Sequence, residues 1–134
     1  MTSDEYPLLM TNAKEEVYMG SSYYHVTSLR NMRPFPVVEM NPETAVKLGL
    51  TDGDWVMIET KQGACRQKLS FNQEVDLRVI IATFCSWIPE KSQDSCGLGT
   101  GNLNMVTPSG PDYDPATGAV TLRGVPCKVY RAEQ

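Results

Sequence analysis

Residues 41–71 leave this chain little freedom in how it folds, because each turn of the backbone there is spelled out by a residue suited to it. Asn41-Pro42-Glu43 reads as a helix start, with Asn41 as N-cap and Pro42 at the first helical position. Gly49 stops that helix after Leu48, so it is short, and Ala45 and Leu48 share one face. Residues 50–54 (LTDGD) form a tight turn around Gly53, and WVMIET (55–60) is a strand. Lys61-Gln62-Gly63-Ala64 then reads as a hairpin turn with Gly63 in the left-handed conformation, returning along residues 64–71. Asp52 and Asp54 flank a glycine in a tight turn, a setting in which carboxylates cap backbone N–H groups. The further oxygen ligands of a calcium site are missing.

The rest of the chain repeats this grammar. YPLLMT (6–11) reads as a first strand, with Pro7 near its start where a missing N–H is tolerated. Residues 18–33 read as a loop or irregular helix, and Pro34 and Pro36 hold an extended lead into the strand VVEM (37–40). Residues 77–84 form a further strand, strongly apolar at 79–82. Residues 85–114 are rich in Gly, Ser, Pro and Asn with little periodicity, and a loop of that length is usually functional. A last hairpin is expected, residues 119–122 returning along 127–130. Many short strands, one or two short helices and frequent turns indicate a mainly β fold, a small barrel.

Composition removes several functions. In 134 residues there is room for one domain. The net charge of −4 disfavours a nucleic-acid partner. No apolar run approaches the length of a membrane helix, so no membrane insertion is expected, and the N-terminus lacks a secretory pattern. A cytoplasmic location is the default expectation. With a single histidine, a histidine-based metal site or hydrolytic triad is hard to build. Cys65, Cys85, Cys96 and Cys127 contain no C-x-x-C pair and read as reduced, apolar packing residues.

Four segments could carry chemistry. Thr11, Asn12, Ala13 and Lys14, with Ser21 and Ser22 close behind, combine short polar side chains with an ammonium that suit a polar ligand such as a nucleobase or phosphate; a solvated loop is the plainer reading. The capped helix of residues 41–49 and its turn are structural. GLGTGNLN (97–104) carries a G-x-G-x-G run, but Pro108 and Pro111 oppose the helix that a dinucleotide fingerprint opens. There Asn102 and Asn104 could meet a heterocycle through amides that donate and accept together; a surface linker is the alternative. Finally, Gly20-Ser21 in a small barrel is compatible with a self-cleaving, pyruvoyl-dependent decarboxylase.

Taken together, YPLLMTNAK, YMGSS with SLR, the long run VVEMNPETAVKLGLTDGDWVMIETKQG, and the tail WIPEK…NLNMVT…LRG-x-x-CKVY resemble the C-terminal domain of the molybdopterin oxidoreductases. This is the dimethyl-sulfoxide-reductase and formate-dehydrogenase type. The tail resembles the branch with formate dehydrogenase, polysulfide reductase and acetylene-hydratase-like enzymes. The resemblance implies a double-psi β-barrel, as in aspartate decarboxylase, that binds part of a bis(molybdopterin guanine dinucleotide) cofactor of molybdenum or tungsten. It implies that Thr11, Asn12, Ala13, Lys14, Ser21 and Ser22 meet the dinucleotide and that Asn102 and Asn104 reach the pterin, with Trp87 and Lys91 in the approach loop. Gly20 departs from the family's frequent His, for which His25 could substitute, and Asn12 replaces its frequent Gly. The family's iron–sulfur motif and metal ligand are not found in position. The expectation is therefore a single cofactor-binding domain, 1–134, excised from a larger oxidoreductase or serving as a small subunit of one. No residue is given a catalytic or metal-ligating role, and the partners are the remaining domains or catalytic subunit. A barrel used only for protein interaction is the other alternative.

Overall fold

A computed structural model describes residues 2–20, 22–84, 86–87, 98–108, 113–120 and 122–133. Six strands form a closed barrel: β1 (Leu8–Ala13), β2 (Val37–Met40), β3 (Trp55–Thr60), β4 (Gly63–Phe71), β5 (Val79–Thr83) and β6 (Val125–Arg131), in the ring order β1-β5-β2-β4-β3-β6. β1 runs parallel to β5 and β2 parallel to β4, each pair joining strands distant in sequence, while the other four pairings are antiparallel. This is the double-psi arrangement that the resemblance implies. Among the described residues three short α-helices accompany it: α1 (Thr27–Met32), α2 (Pro42–Lys47) and α3 (Leu98–Gly101), the last followed by a 3-10 turn at Leu103–Met105.

Period-two alternation fills the barrel. Val56 and Ile58 of β3, Cys65, Gln67 and Leu69 of β4, and Val125, Cys127 and Val129 of β6 point inward and are buried. Met10, Met40 and Ile80 fill the middle of the same core. At one end sits α2, capped as the sequence predicts. Asn41 Oδ1 accepts from the Glu43 N–H at 2.9 Å, and its Nδ2 donates to the carbonyl of Val75 at 3.0 Å. The Thr44 hydroxyl donates to Leu77, and Gly49 takes φ +71 to end the helix. Asp52 and Asp54 do cap backbone: Asp52 accepts from Phe71 N–H at 2.8 Å and Asp54 from Thr51 N–H at 2.9 Å.

The opposite end is closed by the α3 segment, whose Leu103 and Val106 are fully buried in the core. The Thr60 hydroxyl, at the end of β3, donates to the Val106 carbonyl at 2.6 Å. Gln67 is the central fastening. Its side chain is wholly buried, its Oε1 accepts from Thr83 N–H at 3.0 Å, and its Nε2 donates to the carbonyls of Thr83 at 3.0 Å and Gly101 at 3.1 Å. One amide thus serves as strand partner to the end of β5 and as anchor for α3.

Three expectations change. No hairpin pairs residues 119–122 with β6; a single bridge joins Tyr113 to Val120, and residue 121 lies outside the described residues. The reason is that β1 and β3 occupy both edges of β6, which closes the ring. Gly63 sits at φ +158 rather than near the αL value of a hairpin turn; that positive φ and proximity both favour glycine, since a Cβ would lie 3.3 Å from the Met105 carbonyl oxygen. The region between β5 and β6 contains α3 and the 3-10 turn where a structureless loop is expected. Within residues 18–33, α1 buries none of its side chains; the segment is tied down by Tyr18, whose hydroxyl donates to the Arg33 carbonyl, and by the Arg33–Glu15 ion pair at 3.0 Å.

Cys65 and Cys127 are free and buried, and burial pushes both thiols up to about 12. Cys85 and Cys96 lie outside the described residues. Because the folded thiols resist ionisation, stability falls as pH rises above the ordinary thiol value of about 8.5, where only the unfolded chain gains thiolates. Iodoacetamide should leave Cys65 and Cys127 unmodified in the native chain and label them in denaturant, read by peptide mass. On the acid side, the Thr51 N–H first and the Arg131 guanidinium second hold the Asp54 carboxyl below its usual range. The Tyr130 hydroxyl and then the Lys128 ammonium do the same for Glu59. Their stabilisation is complete above the unfolded carboxylate range, about pH 4, and is lost as pH falls through the lower folded values. Melting temperature should therefore drop below about pH 4, and less steeply in Asp54→Asn. Gln67→Leu strands Thr83 N–H and two carbonyls, and denaturant titration should show a loss of about 2–5 kcal/mol.

Candidate functional site

The end of the barrel closed by α3 is also where β1 and β5 finish, and from there two adjoining cavities lie along the outer wall, the larger reaching to Asp52 and Gly53 near the α2 end. The larger, about 610 Å³, is lined by Ala13 and Lys14 from the end of β1, by Thr83, and by Lys68 and Ser70 on β4. The smaller, about 220 Å³, lies beside it across the shared residues Glu15, Arg33 and Thr83. Thr83 is the hinge between them. Its Oγ1 accepts from Val37 N–H at 3.0 Å and lies 2.7 Å from the Val37 carbonyl and 3.2 Å from Glu15 Oε1, while its backbone is held by Gln67.

Of the residues read from the sequence, Ala13 and Lys14 face the larger hollow and Trp87 the smaller. Lys14 is exposed and forms no ion pair among the described residues. Thr11 lies half-buried in β1, and the Asn12 amide donates to the Leu122 carbonyl at 2.8 Å. Neither lines a cavity described here. Ser22 is exposed, its N–H bonded to Met19 in the turn around Gly20; Ser21 and Lys91 lie outside the described residues. His25 is exposed. Asn102 is buried and its amide is engaged at both ends: Nδ2 donates to the Ser86 carbonyl and Oδ1 accepts from Asn104 N–H, both at 2.9 Å. It caps the 3-10 turn that presents Asn104 at the surface. The two groups of candidates are joined through Gln67, which holds Thr83 and thereby the Glu15 side, and Gly101 and thereby the Asn102 turn.

The walls of the larger hollow carry both signs. Three of its carboxylates have partners already: Glu15 pairs with Arg33, Asp52 accepts from Phe71 N–H, and Glu39 lies 3.4 Å from the Asn72 amide. The ammonium groups of Lys14 and Lys68 are there to meet an added anion, although Lys68 also lies 5.2 Å above the Phe35 ring. A hollow of this size takes part of a dinucleotide, and its donors suit phosphate and heterocycle edges. Among the described residues no group of three His, Cys, Asp or Glu could hold a metal ion, so the fit concerns the organic part of a cofactor. Glu15, Arg33, Gln67, Lys68 and Thr83 were not singled out by the sequence. For Gln67 a signal existed: an amide on the inward, otherwise apolar face of a strand.

Comparison with known proteins matches this architecture to its relatives. The pattern of the molydopterin dinucleotide binding domain matches residues 8–126. A dopamine dehydroxylase of Eggerthella lenta is 33% identical over 129 residues, covering 96% of this chain and 13% of the dehydroxylase. The acetylene hydratase of Syntrophotalea acetylenica is 31% identical over 135 residues, covering 95% of this chain and 18% of the hydratase. The solved acetylene hydratase from Pelobacter acetylenicus superposes with a TM-score of 0.89 at 30% identity, over 96% of this chain and 19% of that one. The chain thus spans under a fifth of the length of these relatives. It belongs to the molydopterin dinucleotide binding domain family.

Proposed function

We propose that the domain works as one wall of the cofactor site of a larger molybdenum- or tungsten-dependent oxidoreductase, binding part of a molybdopterin guanine dinucleotide without a reaction centre of its own. The observation that carries this reading is that Gln67 holds together, at one end of the barrel, the end of β5, beside which β1 finishes, and Gly101, which leads into the Asn102 turn. When bound, the cofactor supplies the metal and its redox chemistry. This chain's residues orient it. Lys14 offers an ammonium to phosphate oxygens from the hollow in which it stands. Asn104 offers an amide, donor and acceptor together, to the edge of a heterocycle. Asn102 acts through Asn104: its amide fixes the turn, so that Asn104 is preorganised before the ligand arrives.

The remaining domains of the parent enzyme are the proposed partners, and the exposed side chains of Met19, Tyr23 and Met32 are the proposed contact surface. There α1 has no buried side chain, Met19 is 71% and Met32 61% exposed, and Tyr23 holds φ +73, a strained value for a non-glycine residue.

In the parent enzyme, Lys14→Ala and Asn104→Ala should each lower the retained guanine nucleotide and metal by about ten-fold under dilute conditions, the effect of one lost charge-assisted or paired hydrogen bond. Nucleotide release and elemental analysis per protein measure it. Unchanged content in both variants would remove these residues from the site. Asn102→Ala should lower content as Asn104→Ala does and also reduce stability, since it leaves the Ser86 carbonyl and Asn104 N–H unpaired.

A further inference from the structure

We infer that the smaller cavity, outside the barrel wall, is a separate site for a single-ring aromatic carboxylate. Its size argues first. At about 220 Å³ it is smaller than the ~300–1,000 Å³ typical of pockets for larger ligands, so it has room for one ring with its substituents and none for a dinucleotide. Its walls argue next. Trp55, Tyr24 and Trp87 line it; Tyr24 stacks on Tyr18 at 3.9 Å between centroids, and Trp87 tilts against Tyr24 at 5.8 Å. Gly101 forms a further wall where backbone must come close, since a Cβ there would stand 3.1 Å from Pro36 Cγ and 3.2 Å from the Arg66 carbonyl oxygen.

Charge then selects the ligand. Among the described residues that line the cavity, Arg33 and Arg66 stand with one carboxylate, Glu15. Glu15 and Arg33 offset each other at 3.0 Å. Arg66 is the group left uncompensated. Its guanidinium lies 4.7 Å over the Trp55 ring, its Nε is buried without a hydrogen-bond partner, and no ion pair among the described residues includes it. A buried, unsatisfied charged donor is costly, and a guanidinium fork is matched best by the two oxygens of a carboxylate. Stacking on Trp55 holds that fork in one plane, so a ligand finds it preorganised. A single anionic group beside aromatic walls calls for a flat apolar body with one carboxylate, rather than for a phosphate that needs more donors.

The chain reports on this cavity by itself, because Trp55 and Trp87 are its two tryptophans and both line it. Titration of the chain with benzoate, followed by tryptophan fluorescence, should give a saturable change. The dissociation constant should be at least about ten-fold below those for benzamide, acetate and inorganic phosphate, the difference made by about one charge-assisted hydrogen bond. Arg66→Met should abolish the preference of benzoate over benzamide, with denaturant titration showing that the variant folds. Arg66→Lys keeps the charge but not the fork, and should weaken benzoate several-fold; it carries the test if Arg66→Met does not fold. The proposal is overturned by no saturable response, by benzamide, acetate or phosphate binding as well as benzoate, or by benzoate affinity unchanged in the folded Arg66 variants.

Discussion

A single buried amide holds this structure's two halves in register. Inside a barrel otherwise filled by aliphatic side chains and thiols, Gln67 spends its whole hydrogen-bonding capacity on backbone, at the end of β5 and at Gly101. An apolar residue of the same size would fill the space yet leave three backbone groups without partners, which low-dielectric surroundings make expensive. The polar choice fixes where α3 sits, and the position of α3 determines where the Asn102 turn and the cavity wall at Gly101 stand. Geometry at the functional end is therefore decided in the core.

The two ends of the barrel are built by different means. The α2 end is set first by local capping, in which Asn41 and Asp54 satisfy backbone two or three residues away, while Thr44 and Asp52 tie it to Leu77 and Phe71. The α3 end relies on contacts between residues distant in sequence, such as Thr60 with Val106 and Glu15 with Thr83. The cavities occur where those long-range contacts leave gaps, and Lys14 and Arg66, the side chains proposed to meet ligands, line the two of them. An ammonium at the end of a strand and a guanidinium stacked on an indole address different ligands, the first as a point charge and the second as a planar fork.

How much of this was legible in the sequence follows from the same contrast. The α2 end could be read residue by residue because caps and turns are local chemistry: Asn41, Pro42, Gly49 and the two aspartates do what their types suggest. Strands were legible as alternation, and β2, β3 and β4 fall where expected. The partners of β6 were not legible, since a hairpin is the cheapest guess for adjacent strands and nothing in residues 119–130 announces that β1 and β3 take both edges. At the site, Lys14 could be proposed from its type and place. That the Asn102 amide serves its own turn, whereas Asn104 faces outward, depends on Ser86, sixteen residues earlier in the chain. The Arg66–Trp55 pair was hidden for a different reason: it is a diagonal contact on the outer face of the β3–β4 hairpin, where Trp55 stands opposite Lys68 and Arg66 opposite Met57, and it can be read only once that register is known.

The ring order also imposes a timetable. β1 finds its two neighbours in β5 and β6, and β6, which shuts the ring between β1 and β3, ends at Arg131. During synthesis, this domain's first strand must wait for its last one, and one edge each of β1 and β3 has no partner until residue 131 has left the ribosome. Such distant pairings make for slow folding, because loop entropy is spent before contacts return it. This domain's most exposed moment is thus its own translation, when two strand edges stand open that the finished barrel covers completely.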